Sequence, residues 1–246
     1  MAPILSLDDV SKRYGALVVT DHLSMTLEPG EALGVIGPNG AGKTTMFNLI
    51  AGGVRPDSGR VHFAGRDITG LPPHARCRAG IGRSYQIPHP FIGMTVFENL
   101  LVAASFGSGR PEREVYDRCV GVLDRTGLLG KANVRAGALT LLERKRLEMA
   151  RALATDPKVL LLDEIAGGLT EAECHELVEA IRAVHATGVS IVWIEHVLHA
   201  LKAVVTRLVV INFGRKIDDG EPERVMASPQ VREIYMGLEA EAPAHA

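Results

Sequence analysis

Three cysteines in 246 residues, Cys77, Cys119 and Cys174, are odd in number and widely spaced, which argues against a disulfide framework or a zinc site. A reducing compartment is the expectation. No run approaches the roughly 18 consecutive apolar residues that cross a bilayer, so any membrane role is expected from outside it. The opening residues Met1 to Asp9 lack the basic start and long apolar core of a signal peptide. A formal net charge of −2 gives no global electrostatic case for nucleic acid or anionic lipid, and no nucleic-acid partner is expected. Neither a repeat of solenoid length nor a long linker interrupts the chain. Only residues 239–246 are compositionally biased, and they read as a frayed tail. What is present is ordinary for a globular protein: 46% apolar and 23% charged residues. The length suits one large α/β domain or a core with a modest insertion.

Against that background one stretch stands out. Gly37-Pro38-Asn39-Gly40-Ala41-Gly42-Lys43-Thr44-Thr45 satisfies G-x-x-x-x-G-K-[ST]. Glu31 to Ile36 reads as a buried strand entering it, and Thr44 to Ala51 as a helix leaving it, with Gly52-Gly53 as the stop. Strand, glycine loop and helix in that order make a phosphate cradle. Glycines let successive N–H groups face one point, and the helix N-terminus adds partial positive charge. Lys43 would reach the β- and γ-phosphates of a bound nucleoside triphosphate, and the Thr44 hydroxyl would sit on Mg²⁺.

Residues 4–36 alternate short apolar runs with turn residues, which predicts a β-rich opening region with Tyr14-Gly15 on its first turn. Residues 54–70 read as turn then strand, 71–82 hold a short basic helix, and Ile81 to Gln86 reads as a strand. From residue 95 the pattern turns helical. Thr95 with Glu98 is a capping-box signature, and Glu112 to Leu129 and Thr140 to Ala154 carry apolar residues at helical spacing. Lys158 to Asp163 and Val189 to Ile194 are continuous apolar runs expected of buried parallel strands, with a helix from about Glu171 to Ala186 between them and a last strand over Arg207 to Phe213. The expectation is α/β: a P-loop core with an N-terminal antiparallel β region and an inserted α-helical subdomain. Residues 1–246 form one unit in this reading, with 1–86 and 155–246 as the core and 87–154 as the helical insertion.

Three further positions carry candidate chemistry. Asp163 and Glu164 end a buried strand, where α/β ligand sites form. Neighbours on a strand point opposite ways, so Asp163 can face Mg²⁺ while Glu164 turns toward an attacking water. His196, after the next strand, is placed to hold γ-phosphate charge in the transition state, and Glu195 beside it reads as a solvated charge. Gln86 offers an amide oxygen to Mg²⁺, and Tyr14 an aromatic face to a base.

Assembled, these segments resemble an ATP-binding cassette (ABC) ATPase subunit, and within that superfamily the ATPases of branched-chain amino-acid importers. The likeness runs from Tyr14-Gly15 to Gly237 and includes Gly80 to Gln86, Met94 to Leu100, Arg146 to Leu153, Leu161 to Glu164, Trp193 to His196 and Phe213 to Ile217. It implies ATP and Mg²⁺ as ligands, with Tyr14 stacking on adenine, Gln86 linking Mg²⁺ to the membrane partner, Glu164 as catalytic carboxylate and His196 as switch histidine. Two ATPase subunits, alike or different, would sandwich two ATP molecules head to tail. Gly167 to Thr170 would touch the opposite subunit.

The same likeness implies integral permease subunits, an extracytoplasmic solute-binding protein reached through them, and a peripheral position on the cytoplasmic face of the inner membrane. Phe91, in a proline-braced segment beside Ile92, is the expected apolar contact with the permease. The signature segment departs from the pattern: Leu139-Thr140-Leu141-Leu142-Glu143 stands where Leu-Ser-Gly-Gly-Gln is usual. Thr140 and Glu143 keep the hydroxyl and a capping box, whereas Leu142 brings bulk and gives up free access to positive φ. The expectation is a weakened contact to the partner's γ-phosphate. Ile165 and Thr170 are smaller departures. A soluble ABC ATPase acting on DNA or ribosomes, or a slow nucleotide-gated clamp, are the alternatives.

Overall fold

A computed structural model describes residues 2–234; the tail at 239–246 lies outside them. The chain opens with a hairpin of β1 (Leu5–Tyr14) and β2 (Leu17–Leu27), whose alternating Leu5, Leu7, Leu23, Met25 and Leu27 are buried. It then enters β3 (Ala32–Ile36), turns through the glycine loop and continues as α1 (Lys43–Ala51). Next come β4 (Ser58–Phe63), β5 (Arg66–Asp67), α2 (Pro73–Ala79) and β6 (Ile81–Arg83). Three helices follow: α3 (Val96–Ser108), α4 (Glu112–Arg125) and α5 (Leu141–Ala154). The remainder alternates β7 (Val159–Asp163), α6 (Glu171–His185), β8 (Ser190–Ile194), α7 (Leu198–Lys202), β9 (Arg207–Asn212), β10 (Arg215–Gly220) and α8 (Pro222–Ala227).

Two sheets result. One is antiparallel, in the order β2-β1-β4-β5; the other runs β10-β9-β3-β8-β7-β6, parallel except for β10. Every residue of β3, β7 and β8 is buried, as a sheet covered on both faces requires. The two-residue period divides these strands between two cores. Leu160, Leu162, Ile191 and Trp193 pack toward α6, whereas Leu161, Val192 and Ile194 pack with Phe47 and Ile50 of α1 and the inner face of the antiparallel sheet. A third core, with Leu100, Val115, Leu123 and Leu147, joins α3, α4 and α5, and Leu153 touches both it and the first. All three cysteines are free; Cys119 and Cys174 are buried and Cys77 is half-buried.

Some elements differ from their sequence patterns. The strand expected to reach Gln86 stops at Arg83: Ser84 makes one last bond to the Leu161 carbonyl, and the chain then leaves the ladder. The helix expected to run to Leu129 ends at Arg125, where Gly127 at φ +69° turns the chain and Leu128 is buried. Phe213 is not strand. With Gly214 it forms a two-residue turn, both at positive φ (+46° and +76°), that returns the chain as β10. That edge strand is charged throughout its first five positions apart from Ile217, which hid it from an apolar-run reading.

Candidate active site

Helix α1 starts without a side-chain cap: its N-cap is Gly42, and no acid occupies the first turn. The orphan N–H groups are therefore left open to an anion. Gly42 sits at φ +101°, and a Cβ there would collide with the Val19 carbonyl oxygen, so the loop accepts only glycine at this point. Lys43 is buried, with its Nζ donating to the carbonyls of Gly37 (2.7 Å) and Pro38 (2.9 Å). Burial lowers its pKa, while the carboxylates of Glu164 and Asp163 favour the charged form. A cavity of about 310 Å³ opens over this loop, lined by Asn39 to Thr45 together with Val19, Gln86 and Glu164.

The carboxylates come from the neighbouring strand ends. Strands β8, β7 and β6 are adjacent in the sheet, and their C-terminal ends deliver His196, Asp163 with Glu164, and Gln86 to one edge. Asp163 is buried beside the Arg83 guanidinium at 3.0 Å. Burial raises its carboxyl pKa, and Arg83 opposes that rise. Arg83 also donates to Asn48 Oδ1 at 2.6 Å and lies over the rings of Phe47 and Tyr85. Sequence reasoning gave Arg83 no role; it is the last residue of β6, beside the strand that ends in Asp163.

Glu164 takes a left-handed backbone conformation at φ +46°, held by its N–H on the Ile194 carbonyl at 2.8 Å. Such a conformation costs a non-glycine residue about 1–3 kcal/mol and turns the side chain off the strand's alternation. Its carboxylate accepts from Gln86 Nε2 at 2.6 Å on one oxygen and meets His196 Nε2 at 2.9 Å on the other. Glu164, Gln86 and His196 thus form one cluster. Glu195 is not solvated, contrary to its sequence reading. It is 1% exposed, and its carboxylate accepts the N–H groups of Ala166 and His196, both at 2.9 Å. The loop after Glu164 brings the amide that makes this burial tolerable.

The signature segment and Tyr14 do not line the cavity. Tyr14 ends β1 half-exposed, with Lys12 Nζ 5.6 Å from its ring centre. Thr140 caps α5 in a complete capping box: Glu143 N–H reaches Thr140 Oγ1 at 3.3 Å and Thr140 N–H reaches the Glu143 carboxylate at 2.9 Å. The Thr140 amide and Lys131 hold the Glu143 carboxyl below its usual range. Leu142 packs inward at the start of α5. Its φ is not positive, and its side chain is 6% exposed, packed in the core with Met149 and Ile165, so it neither strains the helix start nor projects from it. The outward bulk belongs to Leu141, which is 44% exposed. Ile165 is fully buried, and Thr170 caps α6, which accounts for both lesser departures.

Residues 20–167 match the ABC transporter family. The high-affinity branched-chain amino acid transport ATP-binding protein LivG of Escherichia coli (strain K12) is 37% identical over 252 residues, covering 96% of this chain and 98% of LivG. BraF of Pseudomonas aeruginosa, named for the same transport, is 35% identical at the same coverage. The lipopolysaccharide export system ATP-binding protein LptB of Acidithiobacillus ferridurans is 34% identical over 238 residues, covering 96% of this chain and 98% of LptB. Among solved structures, an ATP-binding cassette of an ABC transporter in its ADP conformation superposes with a TM-score of 0.88 at 31% identity, covering 96% of this chain and all of the other. The phosphate loop, the strand-end carboxylates and these likenesses converge: the chain belongs to the ABC transporter family and is a nucleotide-binding ATPase subunit that couples ATP hydrolysis to transport.

Proposed function

We propose that this chain powers an importer of branched-chain or related amino acids, bound to permease subunits at the cytoplasmic face of the membrane and served by an extracytoplasmic solute-binding protein. Among the described residues no helix is long and apolar enough to cross a membrane. The observation that carries the catalytic reading is the Glu164 carboxylate, which lines the phosphate-loop cavity between Gln86 and His196. Amides of Asn39 to Thr45 and the Lys43 ammonium bind the triphosphate, and Tyr14 stacks on the base. Thr44, Asp163 and Gln86 supply hard oxygen donors, a set that fits Mg²⁺. The bound ion would neutralise charge on the phosphate oxygens. Glu164 takes the proton of the attacking water, and His196 Nε2 holds charge developing on the γ-phosphate. With both carboxylate oxygens already engaged, Glu164 frees one only when the site rearranges.

Thr140, Glu143 and the N–H of Leu142 serve the partner subunit's ATP in a head-to-tail dimer. Residues 87–154 act as a rigid body between that site and the permease. Ile87, Phe91 and Ile92 are exposed and apolar, and Arg151 of α5 lies over the Phe91 ring at 5.3 Å while donating to the His89 carbonyl. This is the surface assigned to the permease; Phe91→Ala should leave nucleotide affinity intact and reduce co-purification with the membrane subunits. The decisive experiment purifies the chain with its membrane companions and adds candidate solute-loaded receptors. Stimulation of hydrolysis by a receptor carrying a branched-chain amino acid supports the reading. No response to amino-acid receptors, with a response to a lipid substrate instead, overturns it.

A further inference from the structure

Two buried charges that bind no nucleotide lie behind the catalytic cluster. Lys145, on α5, is 5% exposed. Its Nζ donates to the Gln86 carbonyl at 3.2 Å and to the Glu164 carbonyl at 3.4 Å. Glu195, just past β8, is 1% exposed and takes the amides of Ala166 and His196. The short loop from Glu164 to Ala166 is therefore gripped at its first carbonyl by a cation and at its last amide by an anion. The same cation fixes the backbone of Gln86, and the same anion fixes the backbone of His196. All three members of the side-chain cluster are thus held through their main chains by one pair of charges. A charge buried without such partners would be strongly disfavoured, so each of these bonds helps justify the burial of both groups. Glu195 and Glu164 also favour the charged form of Lys145, against the burial that lowers its pKa.

We propose that Lys145 and Glu195 are positioning residues that set the Gln86–Glu164–His196 geometry, with Lys145 carrying the orientation of α5 into it. The inference rests on the catalytic role given to Glu164 above. Lys145 stands five residues after Thr140, the helix cap. In the proposed dimer that cap faces the partner's nucleotide. A tilt of α5 on engaging it would move the Lys145 ammonium and with it the carbonyls of Gln86 and Glu164. Occupancy of one site would in this way adjust the carboxylate of the other.

The test uses the full chain with MgATP, reading kcat, KM, the Kd for a fluorescent ATP analogue and the melting temperature. Glu195→Gln retains the shape but has one accepting oxygen where two are needed. It should lower kcat by about 10²-fold, the cost of a displaced reacting group, with Kd within twofold of wild type. Lys145→Met should lose a comparable factor and flatten cooperativity in ATP. Lys145→Arg, which keeps a donor, should recover most of the rate. The double variant should lose less than the product of the single losses, because both act through one loop. A wild-type kcat in both Glu195→Gln and Lys145→Met would overturn the proposal. So would kcat losses matched by equal rises in Kd and falls in melting temperature, which mark a general structural defect. Should Glu195→Gln not fold, Lys145→Met carries the same decision. A Glu164→Gln variant that hydrolyses like wild type would instead defeat the underlying assignment, and the two failures are thereby told apart.

Discussion

The phosphate loop and the Glu164 cluster lie on one cavity yet are built by opposite means. The loop is local: its conformation follows from Gly37, Gly40 and Gly42 at positive φ, and its lysine bonds to its own loop's carbonyls. The cluster is assembled. Gln86, Glu164 and His196 come from three loops, and the bonds that hold them span 78 and 32 residues. Local construction makes a binding site that forms with the strand and helix beside it. Assembled construction makes a site whose geometry depends on how neighbouring elements sit, which suits the part that must switch.

That contrast can be broken or sharpened by substitution. The largest effect is expected at Glu164: Glu164→Gln should cut kcat by roughly 10²–10⁴-fold, the usual contribution of a general base, and leave the Kd for ATP near wild type. Equal losses in both would erase the distinction between gripping and reacting. Arg83→Met comes next, since it strands the buried Asp163 carboxylate; denaturant unfolding should show a loss of about 3–5 kcal/mol. Gly42→Ala attacks the loop itself. It forces a Cβ against the Val19 carbonyl and an unfavourable φ, and should weaken ATP binding by about 10-fold or more through strain of about 1–3 kcal/mol. An unchanged binding isotherm would show that the loop is less locally determined than its glycines imply. Thr140→Ala should remove the cap of α5 at a cost of about 1 kcal/mol, read as a lowered melting temperature. The smallest effect is acid loosening of that same helix start. The Glu143 carboxyl is held below its ordinary value of 4.5, so its contribution is present at neutral pH and lost as pH falls through the lowered folded pKa. Circular dichroism against pH should register it in wild type and not in Glu143→Gln.

The same contrast governs what the sequence disclosed. The glycine loop was readable because nine consecutive residues carry it, and the parallel strands because burial on both faces leaves unbroken apolar runs. Asp163 and Glu164 were readable from their place at the end of such a run. Glu195 was misread because the amide that stabilises its burial, Ala166, is 29 residues away in the chain. Arg83 escaped notice for a similar reason, its partner being 80 residues on. Leu142 looked disruptive when judged against a glycine, but the turn of the helix sends its side chain into the core and leaves Leu141 facing outward. Strand β10 was hidden by charge: Arg207 meets Asp219 at 2.6 Å, and such cross-strand pairs replace the apolar pattern that marks the other strands.

The unequal surroundings of the three thiols have a practical consequence. Cys119 is buried, with its pKa pushed up to about 11, and burial also raises that of Cys174; neither offers much thiolate to an alkylating dye. Cys77 is partly open to solvent and lines the groove that also contains Tyr85, Glu148 and Arg151. A maleimide fluorophore should therefore attach at that one place in the unaltered protein, installing an optical reporter in the groove with Arg151 without a single engineered residue.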